Sequence, residues 1–172
     1  MIKVRAIKPK PINDKAMNAV ILAEMKTFGE LMKRDVERVT SGWSGERPEW
    51  VLVNRANQFQ VITGVELANP NSKGAKKWIW ADLGTPPHSI EPKSPHGVLA
   101  FQPKYQAGSK PGRLLTVQGK SSGDTVFAKH VDHPGTKPRG WTEMLRKDWQ
   151  KSFERWMGTV MSKVVKVSGH GM

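Results

Sequence analysis

Two apolar stripes set at helical spacing constrain this chain more than any other feature. Met17, Ile21, Met25, Phe28, Met32, Val36 and Val39 follow one another at steps of three or four residues, and so do Leu145, Trp149, Phe153, Trp156, Val160 and Val164. At 3.6 residues per turn, that spacing lines one face of an α-helix. Lys26, Lys33, Glu37 and Arg38 fall off the first stripe, and Arg146, Lys147, Lys151 and Glu154 off the second. Asn13 or Asp14 is suited to accept hydrogen bonds from the first free amides, so the first helix is expected to run to about Thr40. Gly42 and the stretch Gly45-Glu46-Arg47-Pro48 stop it, and a second helix is predicted over Trp141 to Val165. Each of these rods must bury its apolar face against something else.

The middle of the chain supplies that surface. Trp50-Val51-Leu52-Val53 and Phe59-Gln60-Val61-Ile62 are β-branched or aromatic and flank the turn-prone Asn54 to Asn57, which predicts a hairpin. Lys77 to Ala81 reads as a third strand, with Trp78 and Trp80 alternating with Ile79, and shorter strands fit Val98 to Gln102 and Thr125 to Val131. From about residue 86 to 123 prolines and glycines break every pattern, so this is a long irregular insertion in the sheet, and Pro103 to Gly123 within it reads as an exposed arm or loop. The tail Ser168 to Met172 is expected to be disordered. The expected fold is α+β: long N-terminal and C-terminal helices packed on one face of a small antiparallel sheet. With 172 residues the chain makes one domain.

Charge and cysteine content narrow the function classes. Lys and Arg outnumber Asp and Glu 28 to 15, giving a net charge of +13 that attracts polyanions or acidic protein surfaces. The exposed stretch carries Lys104, Lys110, Arg113 and Lys120 with no acidic residue, a basic loop that would face DNA or a partner. There is no cysteine, which removes disulfides, thiolate metal sites and a thiol nucleophile. Met1-Ile2-Lys3-Val4-Arg5 lacks the apolar core of a signal peptide, and no apolar run is long enough to span a bilayer, so a soluble intracellular protein without a membrane partner is expected.

A search for chemistry returns little. His130 and His133 stand three apart on a strand, where side chains alternate faces, so they form no ligand pair. Gly119-Lys120-Ser121 resembles the end of a phosphate-binding loop, but the leading glycine would fall at Leu114. Ser44 lacks nucleophile-elbow spacing, and Glu24 and Glu30 have no base nearby. Trp149 and Trp156 lie on the apolar stripe, which favours burial over base stacking. No catalytic residue, metal or cofactor is expected, and the work implied is binding.

Two segments carry a familiar pattern: Trp80-Ala81-Asp82-Leu83-Gly84-Thr85, and His130-Val131-Asp132-His133-Pro134-Gly135-Thr136-Lys137-Pro138-Arg139 ahead of the last helix. They resemble the acidic-x-Gly-Thr turn and the Gly-Thr-x-Pro-Arg helix entry of small tail-completion or neck (head-tail connector) proteins, minor tail proteins of tailed bacteriophages. The Gly140-Trp141 that follows departs from the Pro-Phe sequence common in such proteins. The resemblance implies a structural virion protein, assembled in the host cytoplasm as an oligomeric ring. Its partners would be other copies and other neck, connector or tail-tube proteins, with non-specific proximity to genomic DNA. It also implies that the turns Asp82, Gly84, Thr85, His133, Pro134, Gly135, Thr136, Lys137, Pro138 and Arg139 serve a subunit or partner interface. Independently of any family, Gly84 and Gly135 permit backbone that a side chain forbids, the threonine hydroxyls can bond nearby amides, and Pro138 suits a helix start. The alternative is a stand-alone, basic nucleic-acid-binding protein.

Overall fold

The computed structural model describes residues 13–56, 60–94, 96–104, 106, 110–114 and 120–169. In chain order the elements are α1 (Asp14–Val39), β1 (Trp50–Ala56), β2 (Val61–Leu67), α2 (Lys73–Leu83), β3 (His88–Ile90), β4 (Leu99–Phe101), β5 (Val126–Ala128), β6 (Val131–His133) and α3 (Trp141–Val167). The class is α+β, with long helices near both ends and small antiparallel sheets between them. No described helix is long and apolar enough to cross a membrane.

Both stripes seen in the sequence form helices. The Asn13 side chain accepts from the Ala16 amide to start α1, and Met25, Phe28, Val36 and Val39 on its stripe are buried. β1 and β2 pair antiparallel from Trp50↔Leu67 to Ala56↔Val61, so Trp50, Leu52, Val61, Thr63, Val65 and Leu67 share one face. That face meets α1 closely. A Cβ on Gly29 would lie 2.4 Å from both the Leu52 and the Thr63 side chain, so the missing side chain is what lets helix and hairpin touch. α3 lies alongside α1: Phe28 makes edge-on contacts with Phe153 (5.2 Å) and Trp156 (5.8 Å). The Trp149 indole N–H donates to Asp35 at 3.1 Å, and Lys163 pairs with Glu24. α1 packs directly on the hairpin and α3 on α1, while Trp149 of α3 borders the same side of the hairpin across grooves that it lines with Val61, Thr63, Val65 and Leu67.

Four expectations need correction, the last of them in the ribbon described below. The segment Lys77 to Ala81 is not a strand but the centre of α2. Ser72 caps that helix by accepting from the Ala75 amide, Gly84 ends it at φ 76°, and Ala75, Trp78 and Asp82 are buried at helical spacing. Trp80, one of the supposed alternating pair, therefore points outward and is 54% exposed, while Trp78 is 4% exposed. The hairpin strands run on further than expected, β1 to Ala56 and β2 to Leu67, and β2 starts at Val61 instead of Phe59, so the turn falls later than Asn54; Asn57 to Phe59 lie outside the described residues. The tail is ordered at its start: Ser168 is buried, its amide donates to the Val164 carbonyl, and its own carbonyl accepts from the Asn13 amide at 3.3 Å. His170 to Met172 lie outside the described residues.

The described residues between 85 and 136 fold back as an antiparallel ribbon. Thr85 bridges Thr136, β3 pairs with β6, β4 pairs with β5, and Gln106 bridges Lys120. The expected strand Thr125 to Val131 is thus two strands, β5 and β6, which pair with different partners. Between the two pairings the longer side of the ribbon runs from Ile90 to Leu99 while the other side has only residues 129–130 between Ala128 and Val131, so the irregular sequence is taken up on one side as an outward excursion. The far end returns to the body. The Gly112 amide donates to the Arg139 carbonyl at 3.1 Å, the Trp141 indole N–H donates to the Arg113 carbonyl at 2.9 Å, and Leu114 packs on the core. That core is aromatic: Trp78 and Trp141 sit 5.3 Å apart between Val36, Val39 and Leu145, flanked by Trp43 and Trp50.

Candidate functional site

The two segments that carry the family resemblance are distant in sequence and meet in space at the root of the ribbon. Each threonine amide donates to the other threonine's carbonyl at 3.0 Å, and the Thr136 amide also reaches the Thr85 hydroxyl at 3.0 Å. The glycines fit the same corner reciprocally. Gly84 (φ 76°) would put a Cβ 2.4 Å from the Thr136 carbonyl oxygen, and Gly135 (φ 84°) one 2.3 Å from the Thr85 carbonyl oxygen. Each Gly-Thr turn therefore occupies the space the other leaves empty.

Asp82 closes the corner from beneath. The first residues of α3 lack a cap of their own, since Gly140 has no side chain. The buried Asp82 carboxylate accepts from the Thr142 amide at 3.0 Å, and its backbone carbonyl accepts from the Arg139 and Gly140 amides at 3.1 Å each. A negative charge at that position also matches the positive end of the helix dipole. Pro138 does not open the helix as expected. It sits before Gly140 and packs on Gly84, where its ring fills part of the tight approach.

Around this corner the histidines are divided between two faces. His88 and His133 are paired across β3 and β6, with ring centroids 5.0 Å apart. The carbonyl of Pro86 lies 2.9 Å from His88 Nδ1, which must donate to it, while His133 Nδ1 accepts from the Gly135 amide at 3.1 Å. On the other face Asp132 is held by the Ser89 hydroxyl and by His130 Nε2, both at 2.9 Å; these bonds keep its carboxyl below the usual range. At the start of α3, Glu143 receives two hydrogen bonds from Arg146, which hold its pKa at about 2. Among the described residues no group of three His, Cys, Asp or Glu is placed to hold a metal ion.

Most of the remaining sequence candidates are exposed. Lys104, Lys110, Arg113 and Lys120 lie on the ribbon with solvated side chains, as do Pro134 and Lys137 at its root. The Arg139 side chain is half-buried, and among the described residues no carboxylate pairs with it, although its backbone is fixed on both sides. The structure thus brings Asp82, Gly84, Thr85, Gly135, Thr136, Pro138 and the Arg139 backbone into one contact set, reaches it with the Arg113 backbone through Trp141, and leaves Lys104, Lys110 and Lys120 apart from it. Sequence reading missed the capping role of Asp82, the His88 partner of His133, and the outward Trp80 and Leu83. Ser72 and Gly84, a helix start and stop bracketing 73–83, were the available signal. Chemically this is a stiff corner whose polar groups are spent on backbone amides. No family model matches the chain, and neither a curated protein nor a solved structure does.

Proposed function

We propose that this chain is a structural component of a tailed-bacteriophage virion, a tail-completion or neck protein that assembles as a ring joining tail to head. Its work is binding and it turns over no substrate. The observation that carries the reading is the mutual fit of Gly84-Thr85 with Gly135-Thr136: the two segments that resemble those of such proteins close on each other in space. A corner fixed by four backbone contacts holds α2, the ribbon and α3 at set angles, as a subunit that must present the same surfaces to its neighbours requires. Large apolar side chains left in solvent, Leu83 at 69% and Phe127 at 66%, suit a protein that finishes its packing on partners.

The test is particle assembly. Phage made without this chain should accumulate filled heads and separate tails, and supplying the chain should restore joining. Normal particles formed in its absence would overturn the reading. The solvated cations of the ribbon favour a second reading, a free nucleic-acid-binding protein. That one requires tight, salt-sensitive binding to DNA or RNA by the protein alone.

A further inference from the structure

We infer that the chain's own leader, Ile2 to Ile7, adds to the hairpin as a third strand, antiparallel to β2, in the groove between β2 and α3. The inference goes beyond the ring reading and does not depend on it. β2 has β1 on one side, and among the described residues no backbone group bonds its other side. Such an edge presents unpaired amides and carbonyls that an extended segment can take up. A groove follows it. Every β2 residue except Gly64 lines one of its two halves, whereas β1 contributes only Trp50 among the described residues. Trp149 of α3 lines both halves and joins them along the strand. On the face turned to α1, Val61, Thr63, Val65 and Leu67 are only half-buried, so the groove lacks apolar cover.

The leader has the pattern to supply it. Residues 1–12 lie outside the described residues, and Ile2-Lys3-Val4-Arg5-Ala6 alternates apolar with basic side chains. In an extended chain Ile2, Val4 and Ala6 share one face and Lys3 and Arg5 the other. Reach fixes the direction. Val61 lines the same half of the groove as Met25, twelve residues along α1 from Asn13, a helical rise of about 18 Å. The six steps from Ile7 to Asn13 span about 20 Å when extended, as Pro9 and Pro11 favour. Ile7 therefore arrives at the Val61 end, and the leader runs antiparallel to β2.

Charge and side-chain size fix the register. With Lys3 opposite Glu66, Ile2 and Val4 fall beside Leu67 and Val65 on the inner face, and Ala6 falls beside Thr63. Glu66 makes no ion pair among the described residues, and Arg55, the basic residue of the hairpin on the same outer face, stands two rows away opposite Ile62. Arg5 comes to lie beside Gly64, a mid-strand glycine whose Cβ would meet nothing within 4 Å. Ile7 meets Ile62, which is otherwise 45% exposed. Sliding the leader by two residues, to set Arg5 against Glu66, would carry Ile7 about 7 Å further from Asn13, past its reach.

Cross-linking of the full chain tests this, because it has no cysteine of its own. Under a short thiol-to-thiol cross-linker, Lys3→Cys with Glu66→Cys should close within one chain. Lys3→Cys with Ile62→Cys, four residues out of register, should not. Equal linking of both pairs, preference for the second, or links only between chains would overturn the inference. Amide hydrogen exchange gives an independent reading. The β2 amides that point away from β1 should exchange slowly in the unaltered protein, and Val4→Pro should speed them by about tenfold or more while the α1 and α3 amides keep their protection. Rates that are the same in both proteins leave β2 without a third strand and end the inference. Neither outcome touches the ring reading, which the joining of heads to tails decides.

Discussion

At the scale of single residues, the corner depends on what is missing from two positions. An alanine at Gly84 or Gly135 would meet a carbonyl oxygen within 2.4 Å, and it would have to hold a positive φ as well. Backbone of that kind costs a side-chain-bearing residue about 1–3 kcal/mol even in open space. Either Gly→Ala variant should therefore lose more than about 2 kcal/mol of stability by chemical denaturation, and the pair should lose less than the sum, because one opened corner relieves the other. Asp82→Ala removes a cap and should cost about 0.5–2 kcal/mol, whereas Asp82→Asn keeps an accepting oxygen and should cost less. Glu143 gives a pH dependence of known sign. Its pKa falls from 4.5 to about 2 on folding because Arg146 binds the ionised form, so its contribution is whole above the unfolded value and disappears as pH drops toward 2. The group is fully exposed, which keeps the effect small. The difference in melting temperature between the unaltered protein and Glu143→Gln should be largest near neutral pH and vanish at the acid end of that window.

At the scale of elements, α2 separates what sequence could reveal from what it could not. The long helices were legible because each stripe repeats over many turns, and tertiary context has little room to reverse so sustained a period. Trp78-Ile79-Trp80 is only three residues long, and three aromatic or β-branched residues fit a strand as well as a helix. The caps at Ser72 and Gly84 decide it, together with burial of Ala75 and Asp82 on the Trp78 side. Substitution distinguishes the two assignments. On a strand Trp78 and Trp80 would share a face and similar costs, but on α2 they oppose each other. Trp78→Ala should cost about 3–5 kcal/mol, in the range of a buried tryptophan, and Trp80→Ala should leave the melting temperature almost unchanged. Equal losses would restore the strand. The site was legible as two motifs but not as one contact. Nothing in the spacing says that Gly84 and Gly135 fill each other's gaps, because the ribbon that brings them together is held by backbone bonds, which sequence pattern does not record.

At the scale of the whole molecule, the positive charge is unevenly placed. α1 carries five basic and five acidic residues, whereas residues 85–139 carry eight basic residues, Lys93, Lys104, Lys110, Arg113, Lys120, Lys129, Lys137 and Arg139, against three acidic ones. None of those eight makes an ion pair among the described residues. The cations are thus left to solvent, and the ribbon that bears them is anchored at its root and at Gly112 and Arg113. In a ring, each copy would point such a ribbon at the same channel, and phosphate contacts too weak in one copy would add up around it. Changing Lys104, Lys110, Arg113 and Lys120 to glutamate lowers the net charge from +13 to +5, two units for each position. These side chains bury nothing, so thermal unfolding should be preserved. The slope of log affinity for duplex DNA against log salt should flatten by about 3–4, the number of phosphates released from neutralisation. Particles assembled from this variant should join head to tail and then leak their genome. An unchanged salt slope with full DNA retention would move the function of these four residues from nucleic acid to the acidic surface of a neighbouring protein.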